Sequence, residues 1–159
     1  VITGHGVPMF TCLLECCGIA DTLGVKIIAD GGIKSSGDAV KALAAGSDFI
    51  MIGSLLSGAD ETPGKIITTS GKDYKVFRGM ASTAAMVNRN SNDLPVGEGV
   101  KTTVEAKGPT RKIISDLQSG IRSGMSYTGA KDISSISILA KWGVQTASGH
   151  FEGTPHVLS

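Results

Sequence analysis

Two short apolar runs end in glycine, one in Ile27-Ile28-Ala29-Asp30-Gly31-Gly32 and the next in Phe49-Ile50-Met51-Ile52-Gly53-Ser54. Between them lies one helix-length stretch opened by Ser35-Ser36-Gly37-Asp38 and closed by Gly46. Strand, helix, strand in that order constrains a chain to neighbouring parallel strands joined by a crossover. Glycines at both strand ends let backbone approach an anion, and the following N–H groups supply donors and positive dipole. An α/β barrel holds a phosphate in this way. The stretch therefore points to a phosphorylated small molecule rather than to nucleic acid or a membrane.

Composition agrees with that class. The chain has 159 residues, 15 basic and 14 acidic, so it has no bias toward polyanions. Its 22 glycines accompany well-formed apolar runs, which favours an α/β protein over a loop-rich one. No run reaches the roughly 20 apolar residues of a membrane span. The first residues, Val1-Ile2-Thr3-Gly4-His5-Gly6, lack the basic and apolar regions of a signal peptide, and a cytoplasmic location is expected. Cys12, Cys16 and Cys17 fall on one short segment and build neither a disulfide framework nor a zinc site. They are expected to be buried, reduced thiols of a helix; a nucleophilic role for one of them is the weaker alternative.

Periodicity predicts a helix over residues 8–23, with Leu13, Leu14, Cys17 and Ala20 on one face. Strands are expected at 25–29 and 49–52, and a helix from the Ser35 cap to about Ala45. After Pro63-Gly64, residues 65–69 and 74–77 flank Ser70-Gly71-Lys72-Asp73 as a hairpin. A short helix through Met86, a polar loop over 88–99 and a strand over 100–105 follow. Residues 109–122 form a helix with Ile113, Ile114, Leu117 and Ile121 on one face, and Arg111, Lys112 and Asp116 solvated. A turn at 126–130, a weak helix at 133–139 and a final strand at 142–146 complete the expectation. His5, His150 and His156 have no metal-binding spacing. Two βα units cannot close a barrel of eight. With Val1-Ile2-Thr3-Gly4 opening uncapped, the chain reads as a fragment or as one half of a split protein.

The ordered motifs Asp30-Gly31-Gly32-Ile33, Gly53-Ser54, Pro63-Gly64, Arg78-Gly79-Met80 and Arg122-Ser123-Gly124-Met125-Ser126-Tyr127-Thr128-Gly129 resemble the IMP dehydrogenase/GMP reductase family. The resemblance covers essentially the whole chain. It implies that residues 1–159 are the C-terminal portion of a TIM (β/α)8 barrel, with an inserted β-hairpin and flap loop, and that the N-terminal half is absent. The family's nucleophilic cysteine would lie just upstream of Val1, which would leave this chain inactive alone. By the same resemblance Asp30 accepts hydrogen bonds from ribose hydroxyls, a task suited to a carboxylate; a turn cap is the plainer alternative. Gly31 belongs to the same loop, and Gly32, Gly53 and Ser54 donate to the 5′-phosphate. Met80 and Ala81 lie along the purine, unless Met80 is ordinary core, and Glu98 reads the purine edge, unless it is simply solvated. Two departures are Phe77, where dehydrogenases often carry Tyr, and Met9, where many relatives carry Gln.

The implied chemistry acts at C2 of a purine nucleoside 5′-monophosphate, IMP or GMP, through a cysteine-linked intermediate, with NAD or NADPH as cofactor. Dehydrogenases resemble one another in a long flap with an Arg-Tyr pair that helps activate water. The loop at 88–99 is short and holds Arg89 between two asparagines, which leans toward GMP reductase, as does Leu14-Glu15-Cys16. Ile52-Gly53-Ser54-Leu55-Leu56, Ser123-Gly124-Met125 and the tail from Ser148 to His156 lean toward IMP dehydrogenase. In bacterial dehydrogenases that tail helps hold a monovalent cation such as potassium across a subunit contact. The resemblance would place Glu152, Gly153 and Thr154 there; a frayed terminus is the alternative. Relatives form tetramers, so a homotetramer is expected. A noncatalytic nucleotide-binding module and a phosphate-binding flavin oxidoreductase are the rival classes, the latter opposed by Arg78-Gly79-Met80 and Tyr127-Thr128-Gly129.

Overall fold

The computed structural model describes residues 4–78 and 101–153, so the expected helix through Met86 and the loop at 88–99 lie outside the described residues. The expected α/β order appears. Helix α1 (Met9–Leu23) precedes strand β1 (Ile28–Asp30), helix α2 (Ser36–Ala44) and strand β2 (Phe49–Met51). β1 and β2 pair in parallel, Ile28 against Phe49, Ala29 against Ile50 and Asp30 against Met51. Pairing starts three residues later than the apolar run, because Lys26 is held by Asp48 at 2.7 Å and Ile27 N–H by the same carboxylate at 2.9 Å.

A second sheet is antiparallel. β3 (Ile66–Thr69) pairs with β4 (Lys72–Arg78), and β4 with β5 (Lys101–Glu105). The β3–β4 turn is tighter than expected. Ser70 and Gly71 both have positive φ (52° and 75°), the geometry of a two-residue hairpin turn that leaves Lys72 and Asp73 in the strand.

Helix α3 (Thr110–Thr128) packs across α2. It runs through the expected turn at 126–130 because Met125 continues the apolar stripe of Leu117 and Ile121, and it stops at Gly129 in the left-handed region. Contact with α2 requires small residues. A Cβ on Gly120 would meet the Ser36 hydroxyl, and one on Gly124 would stand 2.5 Å from a methyl of Val40. Helix α4 (Ile133–Leu139) starts from an Asp132–Ser135 capping box and buries Ile136 completely, which contributes about 1.5–3 kcal/mol. The expected strand at 142–146 does not form. Trp142 instead packs edge-on against Phe10 with ring centroids 4.6 Å apart, and helix α5 (Ala147–Glu152) follows where a frayed terminus was the alternative.

The core lies on one side of the parallel pair, where Ala29 is fully buried among Leu13, Cys17, Ala39, Ala42 and Leu117. On the opposite side Ile28, Phe49 and Met51 are 53%, 59% and 49% exposed. Parallel strands are ordinarily covered on both faces. The exposed side is therefore an apolar surface suited to further elements. No helix among the described residues is long and apolar enough to cross a membrane.

Candidate functional site

The register of β1 against β2 decides which groups meet. With Asp30 opposite Met51, the two strands stop level, and Gly31-Gly32 and Gly53-Ser54 leave the sheet at the same edge. Gly31 and Gly32 have φ of 103° and 75°, which L side chains rarely adopt, and the space at Gly32 is open. Gly53 is outside that region, yet a Cβ there would meet nothing within 4 Å. The N–H groups of Gly32, Gly53 and Ser54 take part in none of the hydrogen bonds among the described residues. Asp30 sits at the exposed end of β1 on the open side of the sheet, and no described residue hydrogen-bonds its carboxylate. A strand end, not a cap, holds it. Five of the expected site residues thus converge.

From Gly53 the chain makes a series of tight turns: Leu56 N–H donates to Gly53 O at 3.0 Å and Ser57 N–H to Ser54 O at 3.2 Å. The carbonyl side of this segment is gripped by two lysines. Lys107 Nζ donates to Ser54 O at 3.2 Å and Leu55 O at 3.1 Å. Lys75, 4% exposed, donates to Ala59 O and Asp60 O at 2.8 Å and to Thr62 O at 3.0 Å. The backbone adds three cross-links, Lys107 N–H to Gly58 O at 2.8 Å, Asp60 N–H to Gly108 O at 2.9 Å, and Thr110 N–H to Glu61 Oε2 at 2.8 Å. The Thr110 hydroxyl at 2.6 Å is the main cause that holds the Glu61 carboxyl below its ordinary value. The sequence reading missed Lys75, Lys107 and Glu61. Lysines in a hairpin strand are mostly solvated, and the only signal was the placement of Lys107 in Lys107-Gly108-Pro109 ahead of a helix.

A groove of about 440 Å³ opens beside Gly31 and Gly32, walled by Met9, Phe10, Ile33 and Trp142, with Lys41 and Asp38 at α2. Asp38 is held below the usual carboxylate range, first by the Ser35 hydroxyl and also by Lys34 N–H. Met9 reaches the glycines, with its terminal methyl 3.5 Å from where a Gly31 Cβ would stand.

The cysteines differ from expectation. Only Cys17 is buried; Cys16 is exposed, and its sulfur lies 3.8 Å from that of Cys12. The neighbouring Cys12 thiol pushes Cys16 up, and burial pushes Cys17 up. Both changes disfavour the thiolate that a nucleophile needs. Leu14, expected on the inner face of α1, is 44% exposed. Glu152 ends α5 and Gly153 caps it. Met80, Ala81, Glu98 and Thr154 lie outside the described residues.

Residues 1–156 match the family model described as the IMP dehydrogenase / GMP reductase domain. The chain belongs to the IMP dehydrogenase/GMP reductase family. It is 43% identical to an inosine-5′-monophosphate dehydrogenase of Nitrosopumilus maritimus, over 98% of this chain and 35% of that protein. It is 38% identical to a GMP reductase of Leishmania donovani, over 100% of this chain and 34% of that protein. A crystal structure of GMP reductase from Trypanosoma brucei in complex with guanosine 5′-monophosphate is similar with a TM-score of 0.90 and 40% identity, covering 99% of this chain and 33% of that one. The chain therefore spans about a third of the length of the relatives it matches. Both activities occur among them.

Proposed function

We propose that this family member is the C-terminal part of an (β/α)8 catalytic barrel and carries its nucleotide phosphate cradle. The observation that supports this most is the level ending of β1 and β2, which brings Asp30 and the N–H groups of Gly32, Gly53 and Ser54, unpaired among the described residues, to the same end of the parallel pair. Amides take the 5′-phosphate, and Asp30 accepts from the ribose hydroxyls. Met80 and Ala81 would line the purine and Glu98 would read its edge. The bare apolar side carrying Ile28, Phe49 and Met51 is what the inner surface of such a barrel requires.

The assembled enzyme is an oxidoreductase of purine nucleotides, acting at C2 through a cysteine thiolate supplied from outside these residues. The reading leans to GMP reductase. Thiolate attack expels ammonia from GMP, hydride reaches C2, and release of the thiolate leaves IMP. Dehydrogenation needs an activated water, and the loop at 88–99 has Arg89 as its arginine but no Arg-Tyr pair to activate one. The dehydrogenase reading is supported by Ile52-Gly53-Ser54-Leu55-Leu56, by Ser123-Gly124-Met125 and by the tail around Glu152, Gly153 and Thr154. In that tail, oxygens from Glu152 to Thr154 would take a monovalent cation such as potassium at a contact within a tetramer, as the resemblance implies. NADPH or NAD would supply or take the hydride. The groove by Gly31 is largely apolar with Lys41 at its edge, and does not fit a dinucleotide pyrophosphate. The cofactor is therefore expected on the rest of the barrel.

Joined to the remainder of the barrel, the protein is assayed with GMP plus NADPH and with IMP plus NAD. Turnover of GMP is expected; turnover of IMP alone would reverse the direction while leaving the cradle in place. Asp30→Ala should raise the nucleotide KM strongly, and an unchanged KM would remove Asp30 from the ribose.

A further inference from the structure

We infer that Lys107 is a positioning residue for the phosphate cradle: its ammonium holds the carbonyls of Ser54 and Leu55, which fixes the turn that presents Ser54 N–H and aims Leu55 N–H at the anion. This rests on the nucleotide-phosphate reading above. In a trans peptide the C=O and the following N–H point in opposite directions. Drawing Ser54 O onto Lys107 Nζ at 3.2 Å therefore aims Leu55 N–H away from the lysine. The Leu56 N–H to Gly53 O bond does the same for the peptide before it and turns Ser54 N–H outward. Neither Ser54 N–H nor Leu55 N–H has an acceptor among the described residues.

Three features make the lysine a fixed support rather than a passing surface contact. Its own N–H is tied to Gly58 O at 2.8 Å, so backbone and side chain grip the same turn from two points. Gly108, next in sequence, accepts from Asp60 and bridges Ala59, which locks the strand of contacts in register. Lys75 holds the following carbonyls from a different strand, so the turn cannot rotate about its far end. The charge also acts without contact. A cation against the carbonyls reinforces the peptide dipoles whose positive ends meet the phosphate. Lys107 does not touch the anion in this arrangement; the amides do.

Inorganic phosphate and IMP are titrated against the protein joined to the remainder of the barrel while the amide NMR signals of Gly53, Ser54 and Leu55 are followed, for wild type, Lys107→Met, Lys107→Gln and Lys107→Arg. Saturable shifts in wild type are expected. Affinity should fall roughly tenfold in the Met and Gln variants, the weight of one charge-assisted hydrogen bond, and return in large part with Arg. Faster hydrogen exchange without ligand at Leu56, whose N–H is bonded to Gly53 O, should accompany the loss. If wild type binds and the Met variant binds equally, the role of Lys107 is overturned and the cradle stands. If neither phosphate nor IMP moves the wild-type signals, the cradle reading fails and takes this inference with it. Loss of the fold in both the Met and Gln variants would also overturn it, by making Lys107 a stability element.

Discussion

Gly53 and Gly58 stand five residues apart in one turn, and alanine at each should have opposite consequences. At Gly58 φ is 84° and a Cβ would overlap the backbone oxygen of Glu105. The left-handed conformation costs an alanine about 1–2 kcal/mol. Moving the backbone to relieve the overlap costs about 1–3 kcal/mol more. Gly58→Ala should therefore destabilise by about 2–5 kcal/mol, a fall in Tm of about 5–20 °C at this chain length. Gly53 has no such need: its φ is outside the left-handed region and a methyl would meet nothing within 4 Å. The fold should tolerate Gly53→Ala to within about 0.5 kcal/mol. What it should not tolerate is a phosphate. A methyl between the anion and the Gly53 and Ser54 amides removes at least one charge-assisted hydrogen bond, worth about 1.5–3 kcal/mol. That is about 10- to 150-fold in Kd. Calorimetric melting gives the first quantity, and titration with IMP, with inosine as the phosphate-free control, gives the second. A Gly53→Ala protein that binds IMP as tightly as wild type, or that melts as early as Gly58→Ala, would refute the reasoning.

Other outcomes follow from the same coordinates. Lys75→Met removes a buried ammonium from three carbonyls and should lower stability by about 2–4 kcal/mol, read as a Tm fall of about 4–15 °C; a change under 2 °C would show that water replaces it freely. Gly124→Val should destabilise by about 1–3 kcal/mol through overlap with Val40, and pairing it with Val40→Ala should restore much of the loss in a double-mutant cycle. Glu61 has a folded pKa below its ordinary 4.5, so its contribution is complete above that value and is lost as pH falls through the lower folded value. Melting curves between pH 6 and pH 3 should accordingly show a smaller acid loss in Glu61→Gln than in wild type; parallel curves would remove Glu61 from the link.

The meeting of the two glycine-lined strand ends, proposed above as a phosphate cradle, was legible because its signal is local: glycine pairs at the ends of apolar runs, spaced by one crossover helix. Asp30, Gly31, Gly32, Gly53 and Ser54 needed only the parallel register to come together, and the family motifs pointed to them as well. The lysine support was not legible. Lys75 and Lys107 act on carbonyls 13 to 53 residues away, and hydrophobic periodicity carries no information about such partners. The errors at the C-terminal end have a related cause. The residues from Trp142 to Thr146 have strand-like composition, but a strand needs an edge to pair with, and Phe10 takes the indole instead. Helix α3 outran its expected end because Met125 continues the apolar stripe of Leu117 and Ile121, and packing there overrides the poor helix propensity of the residues up to Thr128. Leu14 was placed inside by a helical period that does not say how wide the covered stripe is, and Cys16 by the general burial of reduced thiols, which does not say which side of the helix is covered.

The bare side of the parallel pair has a cellular consequence. Ile28, Phe49 and Met51 form an apolar face on a sheet whose outer edges pair with no further strand among the described residues, the kind of surface that recruits chaperones or nucleates clumping when left uncovered. Production of these 159 residues by themselves should thus yield inclusion bodies, whereas co-producing the remaining strands of the proposed barrel should bring the chain into the clarified lysate.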